Sequence, residues 1–207
     1  DFLFFSTDSK NLDSLQEIGL DPYPLNISLL LIFCLRIRAF FLKSELLHRF
    51  PWLLKSSWID SYFLKHHIDL VYFLSPSGIA STLETIPYII TVWDLGHRIE
   101  SSFPEVRGSR IFEYRESKYR TLLPKAEAVL VDSNYTRTQI CNYYGLEPSR
   151  VYKYQFSPAT HFVQETISPQ TSFDNGLLNI LNSKPYIIYP AQFWPHKNHI
   201  YILKAIH

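Results

Sequence analysis

Four short runs of consecutive apolar residues punctuate the chain: Val71 to Leu74, Tyr88 to Val92, Ala128 to Val131 and Tyr186 to Tyr189. Turn-forming residues bound each of them. Ser75-Pro76-Ser77-Gly78 follows the first, Pro87 precedes the second, Asp132-Ser133 follows the third, and Pro185 and Pro190 flank the fourth. Apolar runs of this length, without polar alternation, suit strands of a parallel sheet covered on both faces. Between them the apolar positions recur at helical spacing. Trp52 to His66 carries Leu53, Leu54, Trp58, Ile59, Tyr62 and Phe63; Ser109 to Leu123 carries Ile111, Phe112, Tyr119, Leu122 and Leu123. Asn134 to Tyr144 reads as a third helix, with Asn134 as its cap and Gly145 as its stop. Strands alternating with helices predict βαβ units with right-handed crossovers. The expected class is α/β: an open parallel, Rossmann-like sheet flanked by helices.

The stretch from Phe162 to Ser183 breaks this rhythm. It is rich in Ser, Thr, Asn, Gln and Pro and has little periodicity, so it reads as a linker. The division expected is therefore a first domain over residues 1–161, a linker over 162–184, and the first strand and helix of a second domain over 185–207. The chain contains no Met, opens on the apolar run Asp1 to Phe5 and stops at His207 inside a predicted helix. Both ends read as cuts in a longer protein.

Composition changes this picture little. The chain is 46% hydrophobic and 16% aromatic, enough for a real core, and its net charge of +1 gives no bulk attraction to nucleic acid. Cys34 and Cys141 are far apart and read as cytosolic thiols. The longest apolar run, Ile27 to Leu35, is nine residues, against roughly 20 for a spanning helix. A cytoplasmic location is expected. Residues 35–67 combine Arg36, Arg38, Lys43, Arg49, Lys55 and Lys65 with interleaved aromatic and aliphatic residues. The plainer reading is a core-facing helix with a solvated basic face. The other is peripheral contact with an anionic membrane surface.

In open parallel sheets, ligands sit beyond the carboxyl ends of the strands. That rule selects four loops. Ser75 to Gly78 and Asp132 to Asn134 follow the first and third strands. The loop after the second strand holds Asp94, His97 and Arg98 within five residues, types that bind sugar hydroxyls, move a proton or hold a phosphate. The plainer reading of that loop is a capped turn beside a surface histidine. After the fourth strand comes Ala191-Gln192-Phe193-Trp194-Pro195-His196-Lys197-Asn198-His199. A helix capped by Asn198 with Lys197 beside it presents free amides and a cation to a diphosphate. His196 and His199, three apart, carry a weaker metal reading.

Taken together and in order, these segments resemble the family 4 glycosyltransferases, retaining enzymes of the GT-B fold. The resemblance lies in Pro87 to Arg98 (PYIITVWDLGHR), in Phe103 to Val106 (FPEV), in the run from Arg115 through the Ser-containing turn at Ser133, in Tyr143 to Pro158, and in Tyr189 to His199. It covers roughly the last 140 residues closely. It implies a partial GT-B architecture: an acceptor-side domain followed by the opening of a donor-side domain that binds a nucleotide-sugar. The implied activity is transfer of a hexose, with retention, to a glycan or lipid-linked acceptor, with no metal and no other cofactor. Carried onto this chain, Asp94 and His97 become the catalytic pair, Ser133 and Gly78 acceptor-binding residues, and Lys197, Gln192 and Asn198 donor-phosphate contacts.

The chain also departs from the family pattern. Trp93 stands where many members have His, and His97 is the substitute. Ala191 and Gln192 stand near where many members have Arg, and Gln192 cannot neutralise a phosphate. The family's pair of Glu residues would lie beyond His207 and its Gly-rich loop before Asp1, so the fragment alone is not expected to catalyse transfer. A non-catalytic sugar- or partner-binding relative of the same fold is the competing reading. Another GT-B enzyme, an epimerase or a phosphorylase, is a third.

Overall fold

The computed structural model describes residues 2–25, 27, 33, 58–107, 110–155, 176, 179, 183 and 185–207. Most of the basic stretch 35–67, Cys34 and nearly all of the linker 162–184 lie outside the described residues. The chain divides into two compact units, Asp1–Thr91 with Thr121–Val129, and Val92–Arg120 with Leu130–His207.

In the first unit, β1 (Phe4–Ser6), α1 (Ser9–Glu17) and β2 (Pro22–Pro24) form a small parallel pair with its crossover helix, in the register Phe4↔Pro22 and Ser6↔Pro24. Asp8 caps α1 by accepting from the Lys10 amide at 3.0 Å. Two prolines in a three-residue strand look self-defeating, since proline cannot donate to a ladder. The phase resolves it. Leu25 N donates to Ser6 O at 2.8 Å, so the odd-numbered amides face β1. Pro22 and Pro24 fall on the other phase, where their missing N–H groups face away from the partner strand.

Helix α2 (Trp58–Lys65) then leads to β3 (Val71–Phe73), a 3₁₀ turn (Gly78–Thr82) and β4 (Tyr88–Val92). Strands β3 and β4 pair in parallel, Val71↔Tyr88 through Phe73↔Ile90. With β5 (Ala128–Val131) and β6 (Val151–Lys153) they form a four-stranded parallel sheet in the order β3-β4-β5-β6, flanked by helices. This is the expected open α/β sheet. Tyr88, Ile90, Thr91 and Val92 of β4 are all buried, which is why that strand shows no alternation in sequence. The Tyr88 hydroxyl is accommodated by donating to Leu122 O at 2.7 Å.

In the second unit, β4 runs out into α3 (Gly96–Ile99), α4 (Pro104–Arg107) and α5 (Ile111–Leu122); α6 (Asn134–Tyr144) follows β5. Leu122, at the end of α5, and a 3₁₀ turn (Leu123–Lys125) return the chain to the first unit. The cap of α6 is Ser133, not Asn134. Ser133 accepts from the Thr136 amide at 3.1 Å, and Asn134 is the first helical residue. Serine two residues past an apolar strand can reach the third helical amide, and the extended backbone at Ser133 aims it there. Gly145 ends the helix at φ +65, with its amide on Cys141 O at 2.9 Å. A Cβ there would meet nothing within 4 Å. Gly145→Ala is therefore expected to cost only the left-handed backbone penalty, about 1 kcal/mol. Thermal denaturation measures it, and a loss several times larger would mean a packing role that this geometry lacks.

The predicted fourth strand is not formed. Residues 185–192 carry no regular structure, and Tyr186, Ile187 and Ile188 are 61%, 70% and 75% exposed. A strand exists only where its amides and carbonyls find a neighbouring ladder, and no partner is present among the described residues. A 3₁₀ turn (Pro195–Lys197) and α7 (His199–Ile206) follow. Here the cap prediction holds: Asn198, at φ +51, accepts from the Tyr201 amide through its side chain.

Candidate functional site

The strand-to-helix turn after β4 builds the main polar cluster of the second unit. Asp94 Oδ1 accepts from the Gly96 amide at 2.7 Å, which bends the chain from strand into α3. A Cβ on Gly96 would lie 3.1 Å from that same oxygen, so glycine suits the tight turn. From α5, Arg115 donates to Asp94 Oδ1 at 2.6 Å and to Asp94 O at 3.2 Å. Arg115 also meets the Tyr119 hydroxyl at 3.1 Å. Asp94 nevertheless stays open to solvent, with its side chain 56% exposed, and Trp93 beside it is 49% exposed.

His97 is not a surface residue but is completely buried. It points into a network centred on Glu116 of α5. Arg98 grips Glu116 with two hydrogen bonds, one of them from Nε at 2.8 Å. Arg120 reaches Glu116 at 2.6 Å, and the Tyr144 hydroxyl donates to its Oε2 at 3.1 Å. His97 Nε2 lies 3.4 Å from Glu116 Oε2 and 3.2 Å from the Tyr144 hydroxyl oxygen. These contacts bear on the tautomer of His97. A phenol has one proton and two lone pairs. With the Tyr144 proton on Glu116 and its oxygen accepting from Arg98 Nε at 3.3 Å, His97 Nε2 faces acceptor positions, an arrangement that favours the ring proton on Nε2. Nδ1 then keeps the lone pair. It is buried and has no hydrogen-bond partner among the described residues.

The electrostatics agree. Burial lowers the pKa of His97, the Arg115 and Arg98 cations lower it further, and Glu116 only partly opposes them, so the imidazole is neutral near pH 7. Burial pushes the Glu116 carboxyl upward, but hydrogen bonds from Arg98 and Tyr144 and the charges of Arg98 and Arg120 outweigh it and hold it below the usual carboxylate value. Burial raises the Tyr144 phenol well above its ordinary value, so it remains a donor. Beside this network lies a cavity of about 420 Å³ lined by His97, Ser101, Ser102, Val106, Phe112 and Glu113.

The other expected site residues are dispersed. Ser133 uses its hydroxyl on the Thr136 amide and on Thr136 Oγ1 at 2.9 Å, so it serves the helix it caps. Gly78 belongs to the first unit, where it opens the 3₁₀ turn and its carbonyl accepts from Ser81 at 2.6 Å. Lys197, Gln192 and Asn198 are exposed around the start of α7. His196 and His199 turn to different partners. The backbone amide of His196 donates to Glu105 Oε1 at 3.0 Å and its Nδ1 meets the same oxygen, while His199 Nε2 lies 3.3 Å from Ala191 O. Glu105 and Phe103, whose ring is 6.0 Å from that of His196, thus pin the turn that carries Lys197. Glu116 and Tyr144 were missed in the sequence, and the only signal for Glu116 was its acidic place among the basic residues of α5.

No protein-family model matches the chain, and no curated protein or solved structure matches it.

Proposed function

We propose that this chain is the acceptor-side part of a retaining glycosyltransferase, moving a hexose from a nucleotide-sugar to a glycan or lipid-linked acceptor. The observation that carries the reading is where the resembling segments fall. Pro87 to Arg98 covers β4 and the loop at its carboxyl end, and Ala128 to Asn134 covers β5 and the corresponding loop. These are neighbouring strands of a parallel sheet, so both loops leave from the same edge, where open α/β sheets bind ligands. On this reading Asp94, exposed and held by Arg115, accepts a hydrogen bond from the acceptor hydroxyl. Buried His97 acts through position, not by contact. The acceptor oxygen bonds to the anomeric carbon as its proton passes to Asp94, the bond from that carbon to phosphate breaks, and the nucleoside diphosphate leaves with its charge neutralised by Lys197.

The test is transfer from a panel of radiolabelled nucleotide-sugars by a protein that carries this chain through the donor-side domain. Asp94→Asn is expected to lower kcat by about 10²–10⁴-fold, and Lys197→Ala to raise KM for the donor about tenfold. Unchanged kinetics in both would sink the reading. One observation favours a binding relative without turnover: His97 Nε2 and the Ser133 hydroxyl are committed to internal bonds. On that second reading no donor sugar is transferred, whereas acceptor-like ligands still bind.

A further inference from the structure

We propose that Glu105 is the positioning residue for Lys197: it clamps the turn Pro195–Lys197 so that the lysine meets a diphosphate at a set place relative to Asp94. This rests on the reading of Lys197 as a donor-phosphate contact. Glu105 Oε1 accepts from the His196 amide at 3.0 Å and meets His196 Nδ1, across 91 positions of sequence. Among the described residues, every other hydrogen bond of the segment 185–207 stays inside that segment. One carboxylate oxygen is thus the polar tether between the segment and the rest of the second unit. Apolar packing does not replace it. Phe103 adds one ring contact to His196, but Phe193 is 89% exposed, and Ile200, Leu203 and Ile206 of α7 are exposed as well.

The turn itself is stiff. Lys197 N donates to Trp194 O at 2.9 Å, the Tyr189 hydroxyl donates to Lys197 O at 2.9 Å, and Pro195 fixes its own φ. Holding His196 therefore holds the Lys197 backbone, one Cα or about 3.8 Å further along. On the other side, backbone bonds lead from α4 back to Asp94. Val106 N donates to Phe103 O at 3.1 Å, Phe103 N to Glu100 O at 3.0 Å, Glu100 N to Gly96 O at 2.7 Å, and Gly96 N to Asp94 Oδ1 at 2.7 Å. Asp94 and Lys197 are thus joined through Glu105. As a mere strut, Glu105 is a costly choice. Its side chain is only 14% exposed, and its Oε2 is buried with no hydrogen-bond partner among the described residues. An orphaned buried acceptor lowers stability, so stability alone does not account for a carboxylate here.

The test is a titration of the 207-residue chain with inorganic pyrophosphate at pH 7, with amide hydrogen exchange followed residue by residue. The native chain is expected to bind with a dissociation constant on the order of millimolar, and Lys197→Ala to weaken binding about tenfold. Glu105→Gln removes a negative charge from the turn, and by electrostatics alone that tightens anion binding. Positioning predicts the opposite sign: about fivefold weaker binding, with the His196 and Lys197 amides exchanging about tenfold faster and those of α6 unchanged. His196→Ala keeps the carboxylate and should weaken binding likewise, and the double variant should bind no worse than the weaker single. Unchanged or tighter binding by Glu105→Gln overturns the proposal and leaves Lys197 a phosphate contact. So does weakening that adds in full in the double variant. No binding by the native chain, or binding indifferent to Lys197→Ala, overturns the donor-phosphate reading and the proposal with it. If Glu105→Gln also speeds exchange in α6, His196→Ala decides, and unchanged affinity there overturns the proposal.

Discussion

Asp60→Ala is expected to destabilise the first unit by about 3–5 kcal/mol, a large share of the roughly 5–15 kcal/mol that holds a domain folded. Asp60 lies in the first turn of α2 and is completely buried. Its Oδ1 accepts from the Thr85 amide at 3.0 Å, from the Ile86 amide at 3.1 Å and from the Thr85 hydroxyl at 3.0 Å. Its Oδ2 accepts from the Glu84 amide at 3.1 Å. One carboxylate thus satisfies three consecutive amides of the turn that feeds β4. Alanine would leave those donors beside a core of Ile59, Phe63, Leu83 and Ile86, where an unpaired polar group costs about 1–3 kcal/mol each, less whatever water recovers. Asparagine keeps one accepting oxygen but turns an NH₂ toward an N–H, so Asp60→Asn should fall between, near 2 kcal/mol. Urea denaturation reads both. The midpoint should drop with the slope unchanged, and a loss under about 1 kcal/mol for alanine would show that the three amides find other partners.

Asp60 also marks where reading the sequence stops. Around it, Trp58, Ile59, Tyr62 and Phe63 give the helix by their spacing, because burial of one face is a local periodic property. The same locality made β4 and β5 legible, since a covered strand is apolar at nearly every position, and β3 was legible from the apolar run Val71 to Leu74 and the turn residues after it, although Tyr72 is 47% exposed. Strands β1, β2 and β6 have three residues each, like β3, but β2 and β6 lack its apolar run bounded by turn residues: β2 spends two of its three positions on proline, and β6 carries Lys153. The run at Tyr186 to Tyr189 shows the converse error. It has the composition of a covered strand, but strand formation is a property of a pair, and apolar composition does not supply the partner.

The site shows the same divide. Asp94, His97 and Arg98 were visible because they cluster within five residues, and the Asn198 cap because it is local. What those residues do was not visible. Asp94 is set by Arg115, 21 positions away, and His97 by Glu116 and Tyr144, 19 and 47 positions away in sequence. Three elements converge on His97, and only the fold brings them together. A catalytic histidine and a buried, proton-ordered one look identical in sequence.

Glu116→Ala is the sharpest test of that convergence, with an expected loss of about 3–5 kcal/mol. It removes the shared partner of Arg98, Arg120, Tyr144 and His97 and leaves the Arg98 cation, only 18% exposed, without its carboxylate. The isosteric Glu116→Gln separates charge from packing through pH. The carboxyl of Glu116 is held below its unfolded value of about 4.3, so its contribution is fully present above that pH and fades as pH falls through the folded value. The stability gap between the native protein and Glu116→Gln should therefore narrow in acid below about pH 4. His97 adds an earlier step. Its folded pKa lies below the unfolded value of about 6.5, so the unfolded chain takes up the proton first and stability declines as pH drops from there toward the folded value. Glu116 opposes that lowering, so glutamine should depress the His97 pKa further and deepen the loss below pH 6.5. Two effects of opposite sign in two pH windows are hard to produce by a general loosening of the fold. Chemical denaturation of both proteins between about pH 3 and 8, with the His97 ring signals followed in parallel, would show them, and parallel curves throughout would mean that Glu116 and His97 do not share a network.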